Sequence, residues 1–288
     1  MLRLKKLTSC LAYPSVIVLS FVIYIILEGL GFSILVSTYT PVVLAALIMC
    51  SLEFFIPYRK NWNAESEDVK NDLLYMGLVQ VMLPKFLSFF FAITLIAYLQ
   101  STNLQILQIW PNHLPHYIQA ILMLLGADFL RYWFHIASHK WNILWKLHSV
   151  HHSPSKLYWI NVARFHPVEK ILQFLLEVLP FIVLGVGQEV LSLYFIFYAV
   201  NGFFQHSNIK LRLGFLNYIV SGPELHRWHH SVEIRESNQN YGNNLIIWDL
   251  LFGTWFLPEY KEVDELGLED KTYPSDFINQ IKAPFIKK

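Results

Sequence analysis

The sequence predicts an all-α, polytopic membrane protein with four long spans, a short helical hairpin and a histidine-rich helical domain on the cytoplasmic side. Hydrophobic residues make up 55% of the 288 residues and charged residues only 15%, against about a quarter charged in ordinary soluble domains. The mean hydropathy is +0.39. Several apolar stretches also reach the roughly 20 residues that a membrane-spanning helix needs. The net charge of +1 gives no sign of nucleic-acid binding.

The apolar stretches cover residues 14–36, 41–57, 73–99, 117–137, 168–186 and 189–206. The first, third and fourth are long enough to span, and the second is shorter and contains Glu53. The third contains Pro84 midway, so we expect it to be kinked or divided there. The last two are short and joined by a glycine-containing turn, which predicts a helical hairpin.

Basic residues predict how the spans are oriented in the membrane. Arg3, Lys5 and Lys6 precede the first span, and the pair Arg59-Lys60 follows the second. The positive-inside rule places both groups on the cytoplasmic side. The fourth span then ends on that side, and the hairpin returns the chain to it. We predict an N-terminal transmembrane region at 1–114, a catalytic region at 115–258 and a polar, solvated tail at 259–288.

Three short strings contain eight of the twelve histidines. They are His135-Ile-Ala-Ser-His139, His148-Ser-Val-His151-His152 and His226-Arg-Trp-His229-His230. Residues spaced i, i+3 and i+4 project from one face of a helix, so each string directs its imidazoles the same way. Imidazole is a common ligand of zinc, copper, iron and nickel. Eight convergent imidazoles exceed the needs of one metal ion, so the pattern predicts a site for two.

Four further histidines are weighed by position. His206 ends the hairpin on the predicted cytoplasmic side, which favours a ligand role, and His166 is a candidate tenth ligand. His113 and His116 precede the fourth span. About 20 helical residues separate them from His135, roughly 30 Å, so we expect them at the opposite membrane face.

Asp128 lies on the same helical stripe as His135 and His139. It either orients an imidazole N–H from outside the metal ligands or hydrogen-bonds a neighbouring helix. The HxxxH string lacks the glutamate of the zinc-protease motif HExxH. The chain also has no glycine-rich nucleotide motif and no GxSxG nucleophile motif.

HxxxH followed by two HxxHH strings resembles the fatty acid hydroxylase and sterol desaturase superfamily of membrane di-iron oxygenases. Three longer segments share this resemblance: Asp128-Phe-Leu-Arg-Tyr-Trp-Phe-His135, Pro223-Glu-Leu-His226-Arg-Trp-His229-His230, and 240–254, which reads Asn-Tyr-Gly…Trp-Asp…Phe-Gly-Thr. The resemblance covers roughly 115–258. Gly202 stands where some members have a further histidine, and His166 is the candidate that would compensate.

The resemblance implies an enzyme in which two iron ions and O2 hydroxylate or desaturate a C–H bond of a membrane lipid of sterol, fatty acyl or alkylglycerol type. The implied ligands are His135, His139, His148, His151, His152, His206, His226, His229 and His230. Asn244 and Asp249 either support these ligands or have a capping or packing role. No haem-carrying domain is visible, so the resemblance implies a separate reductase, ferredoxin or cytochrome as electron donor.

Two alternatives stay open at the level of the sequence. One is a membrane metal-binding or transport protein without redox catalysis, which would line up its ligands across the bilayer. The other is a zinc hydrolase on the same scaffold. The membrane is either a bacterial inner membrane or the endoplasmic reticulum, with the site on the cytoplasmic side.

Overall fold

The computed structural model describes residues 2–62, 65–102 and 109–286, and it is built from helices joined by loops. The α-helices are α1 Leu2–Gly29, α2 Ile34–Phe55, α3 Ser66–Leu74, α4 Leu83–Thr102, α5 His116–Lys140, α6 Asn142–His152, α7 Pro167–Glu177, α8 Leu179–Leu184, α9 Gln188–His206, α10 Pro223–His229, α11 Ile234–Ser237, α12 Ile247–Phe252 and α13 Phe277–Lys282. A π-helix, Tyr75–Met82, joins α3 to α4.

Four helical segments among the described residues are long and apolar enough to cross a membrane, which confirms the predicted fold class. They are Lys6–Gly29, Ile34–Phe55, Ser66–Phe91 and His116–Lys140. Their outer faces expose large apolar side chains, such as Ile25 at 60% and Leu47 at 60%. Because such faces are stable only in hydrocarbon, the chain is a multi-pass membrane protein.

The third span is irregular at the position that Pro84 predicted. Its π-helical segment, Tyr75–Met82, ends immediately before Leu83, the first residue of α4. Proline lacks the N–H of a regular helix turn and crowds the carbonyl four residues before it, so a local change of helix type is expected there. Tyr75 and Val79 of this segment are buried against Val150, beside the histidines of α6.

The predicted hairpin consists of three helices, because the stretch 168–186 is divided. α7 ends at Glu177 and α8 begins at Leu179, so that Pro180 occupies the first turn of α8, where its missing N–H costs no hydrogen bond. Gly185, with φ +91°, ends α8. α9 then packs against α1 and α2 in the largest apolar core, and it delivers His206 at its last residue.

Two carboxylates near span ends, half-buried Glu53 and buried Asp72, hold the loop between α6 and α7. Oε1 of Glu53, near the end of α2, accepts hydrogen bonds from the backbone N–H of Trp159 and of Asn208, both at 2.8 Å. Asp72, in α3, forms a buried ion pair with Arg164. These contacts fix the loop that precedes α7 relative to the spans.

The chain beyond residue 259 is not the solvated tail that its polar composition suggested. Val263 and Leu266 are 2% exposed and pack against Trp228 of α10. Gln280 of α13 accepts a hydrogen bond from the Tyr75 hydroxyl at 2.9 Å and is fully buried. The few apolar residues of this segment are enough to fold it back onto the histidine-rich region.

Candidate metal centre

Nine buried or half-buried histidines gather at the Lys140 end of α5 in two adjoining clusters. The five-histidine cluster contains His135, His139, His148, His152 and His229. The four-histidine cluster contains His151, His206, His226 and His230. Within each cluster the candidate ligand atoms lie within 4.8 Å of one another. The structure therefore brings together the nine histidines that the sequence predicted as ligands.

Each HxxHH string divides its histidines between the two clusters. In α6, His148 and His152 belong to the five-histidine cluster, whereas His151 belongs to the four-histidine cluster. The second string reverses this arrangement, because His229 joins the five-histidine cluster while its neighbours join the other. Within the five-histidine cluster, the ring of His152 from the first string lies 4.8 Å from the ring of His229 from the second. Each of the two strings thus contributes histidines to both clusters.

In the five-histidine cluster the outward nitrogens are held by oxygen acceptors. Nδ1 of His135 lies 2.7 Å from the Tyr241 carbonyl oxygen. Nδ1 of His148 lies 2.8 Å from Oε1 of Glu169. His139 and His229 are held in the same way, by Asn238 Oδ1 at 3.1 Å and by the Gln239 carbonyl oxygen at 2.8 Å. These contacts fix the tautomer: each Nδ1 is the donor, and each Nε2 faces inward.

In this tautomer, Nε2 atoms that carry no proton face each other. Nε2 of His135 and Nε2 of His148 are 3.0 Å apart, and neither has a proton to donate when its Nδ1 donates outward. Nε2 of His139 and of His229 are buried without a hydrogen-bond partner among the described residues. Converging lone pairs repel one another unless a cation lies between them. The residues therefore fit a bound metal ion.

Two members of the four-histidine cluster, His151 and His206, are held in the same way. Nδ1 of His151 lies 3.2 Å from the Arg164 carbonyl oxygen, and Nδ1 of His206 lies 2.8 Å from Oδ1 of Asn161. Nε2 of His206 and Nε2 of His226 are 3.0 Å apart. Two buried histidine clusters of this kind are a candidate site for two metal ions.

Burial keeps His151, His206 and His229 neutral, as metal ligation requires. Burial is the main cause that lowers the pKa of His206 to about 3 and that of His229 to about 3. It also lowers the pKa of His151 well below its ordinary value, an effect that the neighbouring His206 reinforces. At neutral pH the lone pairs of these three rings are therefore available for a metal.

The remaining histidines lie elsewhere. Nδ1 of His166 accepts a hydrogen bond from the Val168 N–H at 3.1 Å and caps α7, while its Nε2 contacts the Ile281 carbonyl oxygen at 3.0 Å. The structure thus places His166 outside both clusters. His116 begins α5, at the far end of the span from His135, and His113 precedes it.

None of the three predicted supporting residues contacts an imidazole directly in the described part of the chain. Asp128 and Asn244 bind each other, with Oδ1 of Asp128 2.9 Å from Nδ2 of Asn244. Asp249 accepts hydrogen bonds from the N–H groups of Tyr241 and Gly242, both at 2.7 Å. The Tyr241 carbonyl contacts His135, so Asp249 holds the backbone residue that positions this imidazole.

The direct partners of the imidazoles were missed by sequence reasoning. Glu169, Asn161 and Asn238 contact three of the rings, and backbone carbonyls contact three others. Glu169 lies 21 residues after His148 on a different helix, so no helical spacing connects the two. Its position among the apolar residues of α7 was the one available signal, since a buried glutamate normally has a partner.

A cavity of about 910 Å³ opens onto the five-histidine cluster. His139 and His152 are the two cluster members in its wall. Trp145 lies between them, with its ring 5.2 Å from that of His139. Much of the remaining lining comes from the C-terminal segment, from Gly267 to Ile286. A substrate in this cavity would reach the five-histidine cluster and not the four-histidine cluster.

The loop at Gly242 gives a prediction about how the site is held. A Cβ at Gly242 would lie 2.2 Å from the Leu245 carbonyl oxygen and 2.8 Å from Oδ2 of Asp249. We expect Gly242→Ala to lower the free energy of unfolding by about 1–3 kcal/mol, the usual range for overpacking. Thermal unfolding in detergent and metal retention during dialysis measure this. Gly77→Ala is the control, because its Cβ would meet nothing within 4 Å; equal melting temperatures would contradict the prediction.

Comparison with known proteins adds to this geometry. The sequence matches the fatty acid hydroxylase family over residues 120–254. It is similar to ornithine lipid hydroxylase OlsE of Rhizobium tropici, with 34% identity over 245 residues that cover 84% of this chain and 73% of that protein. No solved structure matches the chain significantly.

Alkylglycerol monooxygenases are also similar to this chain. The Homo sapiens protein is 34% identical over 161 residues, which cover 56% of this chain and 35% of that protein. The Danio rerio protein is 36% identical over 142 residues, which cover 49% of this chain and 31% of that protein. The matched regions thus span about a third of those longer relatives.

Proposed function

Because this chain belongs to the fatty acid hydroxylase family, we propose that it is a di-iron hydroxylase that uses O2 to oxidise a C–H bond of a membrane lipid. The observation that carries the proposal is the pair of buried clusters with converging, unprotonated imidazole nitrogens. The proposed ligands are the nine histidines of these clusters, without His166. Neutral imidazoles suit iron and several other metals, and the hydroxylase family favours iron.

Bound iron would supply the activation of O2 and the removal of hydrogen from the lipid. The chain's own residues would hold the metals, exclude water and direct the substrate to the five-histidine cluster. Insertion of one oxygen atom, with the other released as water, consumes two electrons and two protons. We propose that a separate electron-donor protein supplies the electrons.

The position of the clusters supports an enzyme over a transporter. All nine histidines lie at one end of the spans, whereas transport would place ligands along a path near the bilayer midplane. The basic residues before α1 and after α2 support a cytoplasmic site. The catalytic region in our proposal extends from about residue 115 to the C-terminal segment, since that segment forms part of the cavity wall.

Among lipids, the relatives point to two classes. One is named an ornithine lipid hydroxylase and the others alkylglycerol monooxygenases. The first match covers most of both chains, so we propose lipids with an amino-acid headgroup as the first substrates to test. A bacterial inner membrane is the setting in which we propose that the chain acts.

Comparative lipid profiling tests the proposed function. Cells that express the chain are expected to contain a lipid 16 mass units heavier than its precursor, labelled when the culture grows under ¹⁸O2. Cells that express His148→Ala, or that grow without O2, should lack this lipid. A product that persists with His148→Ala would contradict the assigned site. Zinc alone in anaerobically purified protein, with no O2 uptake on any lipid, would contradict the oxygenase.

A further inference from the structure

The cavity beside the five-histidine cluster lies at the depth of lipid headgroups. His139 belongs to the last turn of α5, one residue before Lys140 ends this candidate span. The 25 residues of α5 measure roughly 37 Å, longer than the roughly 30 Å of the hydrocarbon core, so its ends reach the interface. A lipid that enters the cavity from the bilayer would therefore meet it with its polar end.

The cavity lining includes charged and amide side chains, which a channel for hydrocarbon alone would not need. Lys146 of α6 and Glu269 of the C-terminal segment both line it, and both are exposed. Neither has an ion-pair partner among the described residues. Asn238 and Asn279 line the same space. Lys146 and Glu269 thus place opposite charges in one lining, which suits a ligand that carries both a cation and an anion.

Apolar side chains complete the lining on the C-terminal side. Ile234 and Ile286 both line the cavity while 65% and 60% exposed. Ala283 and Pro284 lie next to Ile286 in the same wall. Exposed apolar residues at a cavity mouth are stable where the mouth opens to lipid. The polar and apolar parts of the wall thus match an amphiphile.

We propose that this cavity is the headgroup subsite of the enzyme, and that it takes the zwitterionic, amino-acid-type headgroup of a membrane lipid. Lys146 would bind the anionic group and Glu269 the cationic group, with residues 267–286 as the wall that sets specificity. The inference rests on the proposed function for the identity of the reaction, but not for the binding step. It assigns a substrate-binding role to a segment that the sequence indicated as a solvated tail.

Photolabelling of the holoenzyme tests the subsite without turnover. The protein is placed anaerobically in nanodiscs of phosphatidylglycerol. One probe is an ornithine lipid that carries a diazirine beside the headgroup; the other is a diacylglycerol with the same diazirine and no charge. We expect the ornithine probe to label peptides within 139–152 and 267–286. The diacylglycerol probe, which lacks both charges, should label them at least roughly tenfold less, because one lost charge-assisted contact already gives about that factor.

Matched variants make the result specific. Ala283→Phe places a ring in the cavity lining and should reduce the labelling, whereas Ile278→Phe places the same ring on an exposed position of α13 that does not line the cavity. Lys146→Glu should reduce labelling by the ornithine probe roughly tenfold and leave the diacylglycerol probe unchanged. Lys146 is exposed, so this variant is expected to fold.

Two results would overturn the subsite. One is equal labelling by the charged and uncharged probes, and the other is labelling by the ornithine probe that both Ala283→Phe and Lys146→Glu leave unchanged in folded protein. The failure of the proposed function would look different. In that case the labelling pattern would appear as expected, while no lipid would be hydroxylated under O2 with reductant.

Discussion

If the proposed di-iron site is right, replacement of His226 by alanine is expected to abolish hydroxylation and to remove roughly half of the bound iron, because four neutral nitrogens would hold one of the two metals. Its Nε2 lies 3.0 Å from that of His206 and 3.1 Å from that of His230. The loss of activity should exceed the roughly 10–100-fold that removal of an outer partner of a ligand costs. Iron per chain and product formation are the measurements.

The chain provides its own control histidines. His113 is exposed and precedes α5 at the far end from the clusters. His166 caps α7 and contacts the Ile281 carbonyl. Both His113→Ala and His166→Ala are expected to retain two irons and product formation. Loss of one iron with His166→Ala would add a tenth ligand and contradict the ligand set proposed above.

Because each string contributes histidines to both clusters, further alanine variants can distinguish the two proposed metal positions. His151 and His152 are adjacent in sequence, but they belong to different clusters. The iron that remains in His151→Ala should therefore match the one that remains in His226→Ala by Mössbauer spectroscopy, and the iron in His152→Ala should differ from both. Identical spectra for all three variants would contradict the division of the histidines.

The spacing of the histidines predicted much of this site, because i, i+3 and i+4 positions converge on a helix whatever the fold. The resemblance to the hydroxylase family, drawn from those strings, is confirmed by the matched family and relatives. Spacing did not predict that His151 and His229 would cross to the other cluster. That division depends on how α6 and α10 pack against each other, which is a tertiary property.

The sequence could predict neither the hydrogen-bond partners of the imidazoles nor the packing of the C-terminal segment, and the physical reasons are related. Oxygen atoms from backbone carbonyls hold His135, His151 and His229, and every residue has a carbonyl, so composition gives no signal. The tail has few apolar residues, and its polar majority predicted solvation. Burial of Val263 and Leu266 against α10 was enough to reverse that expectation.

Glu169 gives the second large expected effect, because within the part of the chain that the structure describes it is the one carboxylate in contact with a cluster histidine. Its Oε1 also accepts a hydrogen bond from Gln173 at 3.0 Å. Burial alone would raise the pKa of Glu169, but His148, Arg131 and Gln173 hold it below its ordinary value, so the group is ionised. An anion on Nδ1–H makes the opposite nitrogen of His148 a stronger donor to a metal.

The two metals should therefore differ electronically. In the four-histidine cluster, His151 and His206 are held by neutral oxygens, whereas the five-histidine cluster has a charged partner at His148. The negative charge favours the ferric over the ferrous state. The five-histidine iron is thus expected to have the lower reduction potential, and it is also the one that faces the cavity.

Glu169→Gln tests this directly, since the amide keeps the shape of the side chain and removes its charge. We expect the five-histidine iron to be held 10–100-fold less tightly, and its potential to rise by about 59 mV for each tenfold loss of preference for the ferric state. The measurements are iron retention and redox titration followed by Mössbauer spectroscopy. The other iron should keep its signal.

Glu177→Gln is the matched control for this substitution. Glu177 lies on the same helix and pairs with the same Arg131, whose Nε is 3.1 Å from Oε1 of Glu177, yet it contacts no imidazole. Both variants remove one partner of a buried arginine, so both should lose stability to a similar extent. Only Glu169→Gln should shift the potential. An equal shift of the potential in both variants would contradict a role for the hydrogen bond between Glu169 and His148. It would show that the potential depends on the charges around Arg131.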